Sequence, residues 1–201
     1  MPKTILLLAL LLPARAPGLA AQTEYYARLG AVGASNLLRD VIVISEITVR
    51  QSIAPMLALG GSIPVGPTGY RAAIEGTFAT GKYHSSENGA ETDLGTLRTG
   101  TLVAGVQGPI TSQIRWRAGL GAIHYWPADK EGIFLSGGTT RFLVGAGLDY
   151  RRPVLPAWDL MGSVGYDFHR FTTEELRTEG FAQNQSVSRI AVSIGLARRT
   201  R

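Results

Sequence analysis

The sequence predicts an all-β fold, an eight-stranded antiparallel up-and-down transmembrane β-barrel, and three observations predict it. Between Tyr70 and Leu196 apolar residues alternate with polar or very small ones, the period of strands whose side chains point to opposite faces. In the clearest run the even positions are Phe142, Val144, Ala146, Leu148 and Tyr150, and the odd ones Arg141, Leu143, Gly145, Gly147 and Asp149. Glycines and charges share one face and greasy side chains the other, which fits a polar lumen inside and lipid outside. The connections between the runs alternate between short and long, as in barrels with short periplasmic turns and longer external loops.

The compartment agrees. Lys3, the apolar run Ile5 to Leu12 and the small residues around Gly18, Ala20 and Ala21 predict a secretory signal peptide over residues 1–21. Cleavage after Ala20 or Ala21 leaves a single barrel domain over residues 22–201. No later segment reaches the roughly 18 apolar residues of a membrane helix, so a spanning chain must close into a barrel. The chain has no cysteine, which excludes a disulfide scaffold, a thiol nucleophile and a lipidated-cysteine anchor. Its net charge of +5 includes Lys3, Arg15 and the tail arginines Arg198, Arg199 and Arg201, and points to no nucleic-acid partner.

Eight strands follow in order. The first, Glu24 to Ala34, sets Tyr25, Ala27, Leu29 and Ala31 against Arg28 and Gly30. The second, Ser52 to Val65, sets Ile53, Leu57, Leu59 and Ile63 against Ala54, Ala58, Gly60 and Ser62, and Gly66 to Gly69 turns it. The third, Tyr70 to Thr80, opposes Ile74 and Phe78 to Arg71, Glu75 and Thr77. The fourth, Thr96 to Gln107, opposes Leu102, Ala104 and Val106 to Thr101 and Gly105, with Arg98 on the apolar side. The fifth, Gln113 to Trp126, carries Arg115 and Arg117 opposite Ile114, Trp116 and Leu120. The sixth is the run quoted above. The seventh, Trp158 to His169, has Leu160, Val164, Tyr166 and Phe168 against Asp159, Ser163 and Asp167. The eighth, Ser186 to Arg198, has Ile190, Val192, Ile194 and Leu196 against Arg189 and Gly195. Long loops are expected at Ser35–Gln51, Gly81–Gly95, Pro127–Gly138 and Arg170–Gln185. The apolar stretch Leu37 to Val49 should extend the first hairpin above the membrane.

Two aromatic belts are expected at the two interfaces. Tyr70, Trp116, Tyr150 and Trp158 fall near the short turns; Phe78, Trp126, Phe142, Tyr166 and Phe168 fall near the long loops. On these hairpins and belts the chain resembles the OmpA/OmpX-like family of small outer-membrane β-barrels over essentially its whole mature length. The resemblance implies an outer-membrane location, contact with outer-membrane lipid and the barrel-insertion machinery, and an anchoring, adhesive or resistance role without catalysis. Members usually finish on an aromatic residue, whereas this chain ends Leu196-Ala197-Arg198-Arg199-Thr200-Arg201.

A lumen of eight strands is only wide enough for side chains, so its charges must pair. Counting from the turns places Asp167 between Arg141 and Arg189 in the half nearer the long loops, with Arg115, Arg117, Asp149 and Asp159 nearer the short turns. These pairs read as a structural plug rather than a conduit. No catalytic residue, cofactor or metal is expected, because His84, His124 and His169 lack the spacing of a zinc site. His84-Ser85-Ser86 resembles the His-x-Ser motif of lipid A deacylases, an alternative in which histidine activates serine. A secreted soluble barrel around an apolar ligand is a further alternative, as is an unknown ligand at the external loops.

Overall fold

The computed structural model describes residues 23–42, 45–66, 68–178 and 185–200; the signal-peptide segment lies outside them. Among the described residues there are ten antiparallel strands: β1 Glu24–Ala34, β2 Leu38–Ile42, β3 Ser45–Gln51, β4 Ala54–Pro64, β5 Arg71–Glu87, β6 Ala90–Pro109, β7 Ile114–Pro127, β8 Thr139–Leu155, β9 Trp158–Phe171 and β10 Gln185–Arg199. Eight of them form a closed up-and-down ring, in the order β1, β4, β5, β6, β7, β8, β9, β10, with β10 returning to β1. In lipid no water can pair a free backbone group, so this closure is what lets the sheet span at all.

Side-chain facing matches the alternation. Leu29, Leu59, Ile74, Leu102, Leu120, Phe142, Leu148, Val164 and Ile194 are all exposed on the outside of the ring. Soluble monomers rarely expose an apolar patch beyond a few hundred Å², and this one encircles the molecule. Inward positions are mostly small or charged through the lower and middle barrel, including Glu24, Arg28, Asp149, Asp159 and Ser163, with Tyr26, Met56 and Met161 packed among them.

The upper end departs from the expected loops. Gly81–Gly95 is not a loop: β5 continues to Glu87 and β6 begins at Ala90, joined by Asn88 and Gly89, both with positive φ (49° and 85°). Asn-Gly is the two-residue turn whose twist matches paired strands, and that dipeptide was the signal for it. At 17 and 20 residues these strands greatly exceed the roughly 9–11 that cross a bilayer, so the hairpin stands beyond it. Leu37 to Val49 does form a hairpin, but β3 pairs with the upper part of β5 rather than prolonging β1. A 3₁₀ turn at Gly132–Phe134 and a short helix α1, Glu174–Thr178, fold over the same end.

These pieces bury an apolar cluster that includes Leu37, Val49, Tyr83, Leu97, Tyr125, Phe134, Leu143, Phe171 and Val187. The lumen is therefore polar only in its lower and middle parts, and the inside-polar rule reverses where the extension supplies a second layer of side chains.

Opposite facing of neighbouring residues is directly testable. Val144→Arg should cost about 2–4 kcal/mol near the midplane, read from urea unfolding in lipid vesicles. A spin label at Val144 should report lipid, while one at Gly145, where an added Cβ would lie 2.7 Å from Asp167 Oδ1, should report a packed interior.

Candidate functional site

The lumen is built around Glu75. Its carboxylate, on β5, takes a close ion pair from Arg28 of β1, and Arg117 Nη1 of β7 reaches it at 3.1 Å. Asp149 of β8 stands 3.3 Å from Arg117 Nε and 3.6 Å from Arg28 Nη1. Ser163 of β9 accepts from Arg117 Nη2 at 3.1 Å and donates to Asp149 Oδ1 at 2.6 Å. Two arginines and two carboxylates thus neutralise one another across the lumen, each buried or nearly so, as a low-dielectric interior requires. Glycines make the room: an added Cβ at Gly147 or Gly165 would fall 2.7 or 2.8 Å from the Arg117 guanidine nitrogens, and one at Gly60 would strike the Tyr26 ring.

Of the expected lumen pairs, Arg117 and Asp149 meet in this network. Asp159 lies lower and pairs with Arg199 at 3.0 Å, while Arg115 is the register partner of Asp149 without an ion pair to it. Asp167 does not lie between Arg141 and Arg189. Its partner on β8 is Gly145, four residues from Arg141, because β8 runs on to Leu155 past a bulge and turns tightly into Trp158. Arg141 instead donates from Nε to the Thr172 carbonyl at 2.9 Å, holding the segment before α1. Asp167 and Arg189 are register partners on β9 and β10, yet Arg189 turns to Thr99 Oγ1 at 3.4 Å and forms no ion pair with it among the described residues. Both line an internal cavity of about 60 Å³ together with Arg28, Glu75 and Arg117. That is room for a few waters and no more.

Arg28, Glu24, Glu75 and Arg151 are the interior charges that pairing arguments on the last strands alone missed. Their inward parity on β1, β5 and β8 was the available signal; which cation meets which carboxylate depends on stagger around the ring.

Tyr70, Phe78, Trp126, Phe142, Tyr150 and Tyr166 are exposed on the outer wall, while Trp116, Trp158 and Phe168 are half-buried there. Tyr70 and Trp116 meet edge-on at 6.2 Å at the short-turn end, and Arg198 lies over the Trp158 ring at 5.6 Å.

The histidines separate. His169 is buried beneath the apolar cap, sharing a 2.7 Å hydrogen bond with the Tyr125 hydroxyl. His124 leans on Trp126 on the outside, ring centroids 4.3 Å apart at a 52° tilt. His84 sits on the extended part of β5 rather than in a loop, and its Nε2 meets Ser52 Oγ at 3.1 Å, not Ser86.

Among solved structures the chain is similar to Neisserial surface protein A, at 12% identity and TM-score 0.52 over 88% of this chain and 96% of that one. It is also similar to OprG of Pseudomonas aeruginosa, at 10% identity and TM-score 0.54 over 91% and 97%. The fold is that of a small outer-membrane β-barrel. The likeness is one of fold; no family model and no curated protein matches the sequence.

Because Glu75 and Asp149 each join both arginines, Glu75→Gln and Asp149→Asn should each destabilise the barrel. Breaking a buried pair costs about 3–5 kcal/mol, reduced where water reaches the cavity. The loss should shrink in an Arg28→Met background, read as a lower unfolding midpoint in urea for each variant.

Proposed function

We propose that this chain is a non-conducting outer-membrane barrel that holds a folded extension beyond the outer surface, a structural or surface-binding role without catalysis. The observation that carries the reading is the blocked lumen. The Glu75 network fills its middle, the Tyr125–His169 pair lies above, and the apolar cluster around Phe134 and Phe171 closes the top. The extension itself is ordered by cross-strand ion pairs, Arg39 with Glu46, Arg50 with Glu91 and Lys82 with Asp93. Lys82, with the Gly95 N–H, holds the Asp93 carboxyl below its ordinary range. This charged wall begins where the exposed apolar band ends, which supports a surface held in water above the lipid. A partner would bind there. In planar bilayers the refolded barrel should insert without conductance steps; steady single-channel steps would overturn the plug.

A second reading rests on the Ser52–His84 hydrogen bond, since a serine hydroxyl beside an imidazole is the start of an acyl-transfer site. Among the described residues no third group hydrogen-bonds His84, which favours the structural reading. Lipid A from cells expressing wild type, Ser52→Ala and His84→Ala should therefore be identical by mass. Loss of an acyl chain with the wild type alone would establish the hydrolase.

A further inference from the structure

Outside the lumen, charge is divided between the two ends of the barrel. Every carboxylate outside the lumen among the described residues stands at the long-loop end, on β2, β3, the β5–β6 hairpin, the segment between β7 and β8, or α1. Glu24, Asp149 and Asp159, which lie toward the short turns, are all buried inside. The outer wall at that end carries cations instead. Arg152 of β8 and Arg198 of β10 are exposed there, and neither has an ion pair among the described residues. Arg198 is held in place: its guanidinium lies 5.6 Å over the centre of the Trp158 ring. Trp158 and Tyr25 are its register partners on β9 and β1, so the cation sits between two aromatics of the kind that favour the membrane–water interface.

Directly above this row the wall is notched. Ala27 is the small residue between Leu196 on β10 and Leu59 on β4, and one pleat higher Leu29 stands between Ile194 and Leu57. The Tyr25 ring lies against Gly61 of β4, where an added Cβ would fall 3.4 Å from it. Tyr25, Ala27, Leu29, Leu57, Ile194 and Leu196 line an open groove of about 650 Å³, with Trp158 and Arg198 at its short-turn end. That volume falls within the roughly 300–1,000 Å³ of small-molecule sites. From Arg198 to Ile194 the groove follows about 13 Å of strand. One leaflet of hydrocarbon is about 15 Å deep, half the thickness of the core. A groove that starts at a fixed cation and runs this far toward the midplane has the dimensions of one acyl chain below its headgroup.

We propose that this groove holds one anionic glycerophospholipid of the leaflet at the short turns, its phosphate on Arg198 and an acyl chain over Ala27. The guanidinium fork matches phosphate oxygens. With no carboxylate outside the lumen at that end among the described residues, the wall selects a headgroup of net negative charge, whereas a zwitterionic headgroup brings its own cation to the same spot. Arg152 is the contrast: it shares that end of the wall but lies two strands away, on β8, and does not line the groove.

Native mass spectrometry of the full-length barrel in neutral detergent, with phosphatidylglycerol or phosphatidylethanolamine added, tests this. One phosphatidylglycerol should be retained, about tenfold more tightly than phosphatidylethanolamine, the effect of one charge-assisted hydrogen bond. Arg198→Gln should abolish that preference, and Arg198→Lys should keep most of it. Arg152→Gln should leave it unchanged. Ala27→Trp, which fills the groove, should weaken retention of both lipids, and inorganic phosphate should displace neither. Equal retention of the two lipids by the wild type, equal losses for Arg198→Gln and Arg152→Gln, or displacement by inorganic phosphate would each overturn the proposal. So would a detergent-stable dimer that Ala27→Trp dissociates, since the occupant of the groove would then be a second copy of the chain. If Ala27→Trp fails to fold, the wild-type comparison of the two lipids and the Arg198 variants still decide it.

Discussion

Closure of the ring is the constraint on which the rest depends. A sheet in lipid has no solvent to satisfy its edges, so β1 must find β10 and every strand between must keep its register. With eight strands the enclosed space is no wider than the side chains that enter it. The interior is therefore decided by volume before it is decided by chemistry. Arg117 has room because Gly147 and Gly165 carry no side chain, and the Tyr26 ring lies over its cross-strand partner Gly60 for the same reason.

Volume and charge then act together. A narrow lumen brings arginines and carboxylates from strands that are not neighbours in the ring within reach, as with Arg28 of β1 and Glu75 of β5. Once desolvated they must neutralise one another locally, and through the middle of the barrel they do. The short-turn mouth is different because water still reaches it. Its outermost pair, Asp159 with Arg199, leaves the arginine half-exposed.

The long-loop end solves the opposite problem. Above the membrane the outer face meets water, so the ion-paired wall of β2, β3, β5 and β6 replaces the apolar band. Apolar side chains from the same strands and from the Phe134 turn can then pack inward and form a small core of ordinary globular character. One molecule thus carries both polarities, inverted in the bilayer and conventional outside it. That core rather than an ion pair closes the upper lumen.

The strand period, the inverted polarity and the facing of each residue were determined by the sequence alone, because a period of two reads directly onto a pleat and lipid tolerates only one outer face. Val144 outside and Gly145 inside follow from that without any knowledge of neighbours. The meeting of particular charges did not follow. Asp167 faces the lumen as its parity requires, but a bulge and a tight turn after Leu155 move its partner from Arg141 to Gly145, and parity is unchanged by a slip of four residues. Nor could alternation reveal that Glu75 serves two arginines, or that His84 meets Ser52, since these contacts depend on strand stagger and on a hairpin laid against β5. Local chemistry sets which way a side chain points; only the closed ring decides what it finds there.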